Sequence, residues 1–325
     1  MAAKIIVTAL ATALLLGSAA SAQGTGEAFP SRPITMLVGS EAGSAPDVLA
    51  RLLQQDMREG LGQSLVVENR PGGGAGGIAA SMLARARPDG YTVHLATVVV
   101  AIAPAMGPQA VNPMTEFAAI GHVASVPLIL VVNPSLNVKS VAEFIALAKT
   151  QPGKMNYGTP GVGSLQNLTT EMLKRVAGID LVHVPYKSGG AAVNAVLANE
   201  AHMFFAGMPP ALPHVQSGKL TALAVSTAKR SASAPNVLTV AEAGLLGFEA
   251  DNWHALYAPA GTPAPVIAKL NAELNRVLNL PQTRERMLRV GAEPRPGTPE
   301  DLAQHTRIET EKWVRVVKES VVKLE

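Results

Sequence analysis

Asn156-Tyr157-Gly158-Thr159-Pro160-Gly161-Val162-Gly163-Ser164-Leu165-Gln166-Asn167-Leu168 sets three glycines directly ahead of a helical pattern. Glycine reaches backbone angles closed to other residues and leaves amides uncovered, while a helix start adds unpaired N–H groups and a partial positive charge. The chemistry on offer is the holding of an anion, a carboxylate as readily as a phosphate. A plain strand-to-helix turn would use the same residues, but a second turn of the same make shifts the balance. Gly39-Ser40-Glu41-Ala42-Gly43-Ser44 follows the apolar run 34–38 and precedes a helix that Ser44 can cap, with Pro46 in its first turn and Asp47 at capping-box spacing. The glycines at 72, 74 and 77 match the dinucleotide-binding spacing literally. Four residues separate them from their strand, and the next strand, 91–96, runs into Thr97 without an acidic end, which argues against a nucleotide. A loop that lets backbone approach a ligand or a neighbouring loop fits better. The seven His residues form no His-x-x-x-His pair, and no Gly-x-Ser-x-Gly elbow is present. A metal site, a cofactor and a hydrolase therefore lack a signature, and the expectation is a binding protein, not an enzyme.

The elements that position these turns follow from periodicity. Lys4, the apolar run 5–16 and Ala20-Ser21-Ala22 read as a secretory signal peptide cleaved after Ala22, too short to anchor in a bilayer, which places the mature chain in a periplasm. Without residues 1–22 the chain keeps 303 of its 325 residues, and with Lys4 gone its 27 basic side chains become 26 against 24 acidic. That length favours two domains over one. The charges are scattered and only 4% of residues are aromatic, so nucleic acid is not an expected partner. No Cys is present, which excludes disulfides, thiol chemistry and a lipid-modified cysteine.

Strand-like runs at 34–38, 64–67 and 91–96 alternate with helical patterns starting near Ser44 and continuing through Ala86. An apolar run at 128–132 introduces a second alternation: helix 140–149, a strand near Asn156, helix 164–177 stopped by Gly178, strand 181–184, a helix through Ala198, strand 203–206, a Pro-rich helix near 211–216 and strand 222–226. The extended run 251–257 and helices at 263–278, 282–290 and 300–322 end the chain. The last carries Leu302, Ile308, Trp313, Val317 and Val321, a core stripe. The terminal helices are expected to pack back on the first block. This gives a discontinuous domain 1 over 29–127 plus 251–325, a domain 2 over 128–250, and two crossover segments acting as a hinge around a cleft.

Several stretches carry a resemblance to a known family: Ser31-Arg32-Pro33-Ile34, Asp47-Val48-Leu49-Ala50-Arg51, Val66-Val67-Glu68-Asn69-Arg70-Pro71-Gly72, Pro88-Asp89-Gly90-Tyr91-Thr92, Asn156-Tyr157-Gly158, His183-Val184-Pro185-Tyr186-Lys187 and Pro259-Ala260-Gly261-Thr262-Pro263. In this order over essentially the whole mature chain they resemble the Bug proteins, the TctC-like periplasmic solute receptors of tripartite tricarboxylate transporters. The resemblance implies an α/β, two-domain periplasmic binding protein of the Venus-flytrap, type II-like kind, with parallel-type sheets flanked by helices. It implies a monomer that delivers a small organic carboxylate to integral membrane transporter subunits, without catalysis. A sensory adaptor serving a membrane sensor kinase would use the same fold and cleft.

Carried over by position, the resemblance puts the carboxylate against Ser40, Glu41, Ala42, Gly43 and Ser44 on one side and Thr159, Gly161, Val162, Gly163 and Ser164 on the other. Thr97, Asn167, Tyr186, Ala206, Gly207 and Trp253 would line the rest. Tyr186 and Trp253 equally suit core or hinge packing, and Lys187 suits a solvated turn. Three departures bear on specificity. Ser40, followed by the acidic Glu41, stands where the family commonly has an aromatic residue near the start of the loop, Ala206-Gly207 where an Asp followed by a small polar residue is usual, and Asn167 where a His is frequent. Losing the Asp removes a counter-ion for a ligand amino group, which argues against acidic amino acids. If it faced the cleft, Glu41 would disfavour a second carboxylate at its end.

Overall fold

The computed structural model describes residues 29–72, 76–107 and 110–319, so the expected export leader lies outside the described residues. The body taken up here begins at Arg32. In chain order it contains β1 (Ile34–Val38), α1 (Ala45–Leu61), β2 (Leu65–Asn69), α2 (Gly77–Ala84), β3 (Thr92–Thr97), α3 (Val99–Ile102) running into a 3-10 turn (Ala103–Met106), and α4 (Pro113–Glu116). Then come β4 (Phe117–Val132), α5 (Val141–Thr150), β5 (Asn156–Thr159), α6 (Leu165–Ala177), β6 (Val182–Pro185), α7 (Gly189–Leu197), β7 (Met203–Gly207), α8 (Met208–Gln216) and β8 (Thr221–Val225). The chain closes with β9 (Asp251–Pro259), α9 (Ala264–Leu278), α10 (Pro281–Arg289), β10 (Glu293–Pro294) and α11 (Pro299–Glu319).

Local signals account for most boundaries. Ser140 caps α5 by accepting from the Glu143 amide at 3.1 Å, and Glu143 Oε2 returns to the Lys139 amide at 2.7 Å, so the two side chains satisfy orphan donors at one helix start. Gly178, at φ 62°, ends α6 in the left-handed conformation that glycine adopts without strain. Beginning at Met208, α8 is longer than the Pro-rich pattern suggests, because Pro209 and Pro210 sit in its first turn where no amide is needed.

The main correction concerns β4, expected only over 128–132. The observed strand has 16 residues and starts at Phe117. Gly121 and Pro127 hide its first half from any strand reading, yet both fit. The ladder with β9 shifts register between Ala119 and Gly121 and again between His122 and Ala124. A side chain at Gly121 would meet the Asn271 amide of α9 at 2.8 Å.

Strand order is β2-β1-β3-β9-β4-β7-β5-β6, with β10 and β8 also pairing to β4. The pairs β1–β2, β1–β3, β5–β6 and β5–β7 are parallel, whereas β9 runs antiparallel to both β3 and β4, and β7 and β8 run antiparallel to β4. Up to Pro127, β4 pairs with β9; from Leu128 it pairs with β7 and β8. The chain returns at Ala250–Asp251, where the Ala250 amide still bonds Ser226 and Asp251 already pairs with Pro127. The molecule is thus a mixed α/β fold, its curled sheet flanked by helices and crossed twice by the chain. Among the described residues no helix is long and apolar enough to cross a membrane.

A buried polar knot lies under α11 near the crossovers. Glu309 Oε2 accepts from the indoles of Trp253 at 3.2 Å and Trp313 at 2.9 Å, and His122 Nε2 meets His305 Nδ1 at 2.8 Å. Asp251 accepts from Ser125 Oγ at 2.6 Å with Arg295 at 3.8 Å, and burial raises its pKa to about 6.

Candidate functional site

The first turn joins β1 to α1. Gly43, at φ 81°, donates its amide to Asp47 Oδ2 at 2.8 Å. Asp47 is 2% exposed and is held further by Arg51 Nε at 3.1 Å and Asn69 Nδ2 at 3.0 Å, while the same Asn69 amide group reaches the Ser40 carbonyl at 3.0 Å. Burial raises the Asp47 pKa, but the hydrogen bonds from Arg51, Gly43 and Asn69 outweigh it and hold the carboxyl below its ordinary value. Ser44 does not cap: among the described residues its Oγ is buried without a partner, because the carboxylate three residues on has taken the capping role toward Gly43. Among the described residues the amides of Ala42, Ala45 and Asp47 donate to nothing. Gly76 packs against the base of this turn so closely that a Cβ on Gly39 would stand 2.8 Å from the Gly76 Cα. The glycine-rich stretch thus brings one loop against another.

The second turn joins β5 to α6 and repeats the construction. Gly163, at φ 74°, donates to Asn167 Oδ1 at 3.1 Å, again four residues on. Here Ser164 does cap, accepting from the Asn167 amide at 3.3 Å and donating to the Gly161 carbonyl at 2.7 Å. Asn167 Nδ2 donates to Tyr157 OH at 3.0 Å, which donates to Glu171 Oε1 at 2.5 Å, and Lys174 closes the line at 3.0 Å. Thr159 Oγ1 accepts from the Gly161 amide at 3.1 Å and meets His183 Nε2 at 2.6 Å. Burial, aided by Lys174, lowers the His183 pKa against the opposing pull of Glu171, and burial, with Glu171, raises that of Tyr157. The amides of Val162, Leu165 and Gln166 donate to nothing among the described residues.

Strand direction and register fix where these turns point. β1 and β3 run with β4, and Thr97 at the end of β3 lies level, through His254, with Ala124. β5 runs with β7 against β4, and Tyr157 lies level, through Met203, with Val132. Both turns therefore leave their strands toward the Pro127–Leu128 switch of partners from opposite sides, outside the carboxyl ends of parallel strands. Ala206 and Gly207 pair with Ile129 and Leu128 at the same level. Glu41, Ala42, Gly43 and Val162 are exposed, Ser40, Ser44, Thr97, Gly161, Ser164, Tyr186 and Gly207 are half-buried, and Thr159, Gly163, Asn167 and Ala206 are buried. The Tyr186 ring packs over Gly158 and its amide donates to the Thr159 carbonyl at 2.8 Å. Trp253 is 0% exposed and bound to Glu309, so it packs the core beneath the crossovers. Lys187 is exposed. A cavity of about 30 Å³ opens beside the first turn, bounded by Gly39, Ser40, Gly76, His94 and Thr97. Among the described residues no group of His, Asp or Glu could hold a metal ion.

Sequence reasoning missed the roles of Asp47, Asn69 and Arg51, and it missed the shared pattern behind the two turns. Gly-Ser-x-x-Asx occurs at 43–47 and again at 163–167, so the signal was available in the sequence.

The family model described as tripartite tricarboxylate transporter family receptor matches residues 49–322. Protein BugT of Bordetella pertussis is 34% identical over 301 residues, which cover 92% of this chain and 92% of that protein. An R. palustris protein solved with adipate superposes with a TM-score of 0.80 at 34% identity, covering 89% of this chain and 97% of that one. MatC from Rhodopseudomonas palustris, solved with bound malate, gives a TM-score of 0.78 at 32% identity and covers 89% of this chain and 100% of that one.

Proposed function

Because the chain belongs to the tripartite tricarboxylate transporter receptor family of periplasmic solute-binding proteins, we propose that it captures a small organic carboxylate between its two glycine turns and delivers it to membrane subunits of such a transporter. One observation carries the reading: two turns of the same backbone construction, each at a helix N-terminus with free amides, are aimed from opposite sides at one level of β4. Free amides at helix starts are donors without proton chemistry, suited to holding an anion and releasing it unchanged.

In this reading residues 29–127 with 251–325 form one lobe and 128–250 the other, and they close on the ligand about Pro127–Leu128 and Ala250–Asp251. Ser40, Ala42, Ser44 and Thr97 face Val162, Ser164, Tyr186 and Gly207 across the gap. Since the similar structures hold adipate and malate, short dicarboxylates are the first probes. A thermal-shift screen of the mature protein tests the proposal. A receptor is stabilised by RT ln(1 + [L]/Kd), about 2.7 kcal/mol at a hundredfold excess over Kd, and returns its ligand chemically intact. Turnover of any carboxylate, or no stabilisation by any of them, would overturn the reading.

A further inference from the structure

Asn167, Glu171 and Lys174 stand on successive turns of one face of α6, leading away from the second glycine turn. The Tyr157 ring packs against this face. It is 0% exposed and stacked on His183, with 5.0 Å between ring centroids and 29° between planes, and Lys174 Nζ lies 5.7 Å from its centre. The phenol oxygen is thereby fixed between two partners, Asn167 Nδ2 at 3.0 Å and Glu171 Oε1 at 2.5 Å.

Proton counting gives this line one direction. A carboxylate only accepts, and Lys174 at 3.0 Å only donates to it, so the single hydroxyl proton of Tyr157 goes to Glu171. Burial raises the Tyr157 pKa and keeps that proton in place. Toward Asn167 the phenol oxygen can then only accept, so it is met by the side-chain NH2, and the Asn167 carbonyl is turned to the Gly163 amide at 3.1 Å. The two ends of a primary amide are nearly the same size, so packing alone does not choose between them. The first turn needs no such director, because both oxygens of Asp47 accept.

Resting on the receptor reading above, we infer that Glu171 and Tyr157 are positioning residues for ligand capture: they set which end of Asn167 faces the second turn, and through it the angle at which that turn's free amides meet an anion. Neither reaches the ligand itself. With the acceptor at position 171 removed, the phenol proton turns to Asn167 Oδ1, the amide reverses, and two donors oppose each other at Gly163. The Gly163 backbone, at φ 74°, then loses the bond that holds it.

Two readouts on the mature protein test this: hydrogen exchange of the Gly163 amide without ligand, followed by NMR on glycine-labelled protein, and calorimetry with malate and adipate. Glu171→Leu and Tyr157→Phe should each speed exchange at Gly163 and raise Kd, both by about tenfold. Glu171→Gln keeps an acceptor for the phenol and should stay within about threefold of wild type in both readouts. In an Asn167→Leu background, which has no amide to orient, Glu171→Leu and Tyr157→Phe should add nothing. The Glu171 variants decide the matter even where Tyr157→Phe fails to fold. Losses of the same size in the Asn167→Leu background, or an unchanged Gly163 signal in the single variants, would overturn the positioning role and leave the receptor reading standing. Wild-type protein that binds neither acid would overturn the ligand half of the claim together with the reading it rests on, while exchange at Gly163 would still decide the orientation of Asn167.

Discussion

The two glycine turns share a backbone and differ by one charge. Each places a glycine with positive φ before a serine and returns that glycine's amide to a side-chain oxygen four residues on, but the oxygen belongs to a carboxylate at Asp47 and to a neutral amide at Asn167. At the first turn the positive end of α1 already faces an internal anion, itself tied to Arg51 and Asn69. At the second, the positive end of α6 is left unspent, and the groups behind it form a line of neutral donors and acceptors ending in the Glu171–Lys174 pair. Similar folding can therefore hide different chemistry: the second turn should supply most of the grip on an anion, and the first should contribute shape, free amides and selectivity. Fitting this division, Thr159 and His183 brace the second turn from behind while an exposed acid, Glu41, stands on the first.

The largest expected effect comes from making the turns alike in charge. Asn167→Asp keeps an acceptor for the Gly163 amide but sets a buried carboxylate beside the incoming anion. Like charges about 5 Å apart at an effective dielectric of about 20 repel by about 3 kcal/mol, so Kd should rise by roughly a hundredfold or more. Asn167→Leu, neutral and without the acceptor, separates charge from geometry and should weaken binding less. Calorimetry on both, with melting curves confirming the fold, decides it; equal losses would show that the second turn's charge is not what distinguishes it. The reverse change should act in the reverse direction. Asp47→Asn keeps the bond from Gly43 and removes the internal anion, so affinity is expected to rise by up to about tenfold. The free protein should lose about 1 kcal/mol of stability, since Arg51 is half exposed and its pair with Asp47 is screened by solvent. Weaker binding in Asp47→Asn would instead make Asp47 part of the grip.

Acid separates the turns from the rest of the molecule. Burial pushes His94 and His254 down to about 4, and burial together with Arg295 lowers the paired His122 and His305. Depressed histidines leave the unfolded chain binding protons first. The stability they contribute is complete above about 6.5 and is lost as the pH falls from there toward about 4. Asp251, raised to about 6, works in the opposite sense: the folded form takes up its proton first, so it offsets one of the four histidines between about pH 6 and its ordinary 3.8. The melting temperature should therefore drop steadily between pH 6.5 and 4.5. At the turns, burial raises the Asp47 pKa but its hydrogen bonds outweigh it and hold the carboxyl below its ordinary value, Asn167 does not titrate, and burial lowers the pKa of His183. Affinity for a ligand that stays ionised should vary by less than about threefold from pH 8 to 5.5, read by calorimetry beside the melting curves. A fall in affinity that tracks the fall in stability would place a titrating group at the site.

The strand–turn–helix units could be read from the sequence because their signals are local: glycine before serine, proline in a first helical turn, Gly178 as a stop. The 16-residue β4 could not, since Gly121 and Pro127 look like breaks until α9 is seen packed over one and the crossover placed at the other. From the sequence Trp253 suits cleft wall and core equally, because a resemblance carried over by position cannot tell an indole lining a cleft from one bonded to a buried Glu309 contributed from 56 positions away. Capping by Ser44 was a fair inference from spacing and was defeated by Asn69 and Arg51, whose grip on Asp47 comes partly from β2 and has no trace in the local pattern.

The smallest effect isolates the last difference between the turns, the work of the two serines. Ser164 Oγ accepts from the Asn167 amide and donates to the Gly161 carbonyl, so Ser164→Ala removes a working cap and should cost about 1 kcal/mol of stability. Affinity should fall only a few-fold, because main-chain amides hold the anion. Ser44 Oγ is buried and, among the described residues, bonded to nothing, so Ser44→Ala deletes a hydroxyl whose desolvation is uncompensated in the free protein and should be neutral or slightly stabilising. Urea denaturation of the two variants side by side reads the contrast. Should Ser44→Ala instead cost as much as Ser164→Ala in the presence of ligand and nothing in its absence, the unpartnered hydroxyl is reserved for the ligand, and the first turn grips with a side chain where the second uses its backbone.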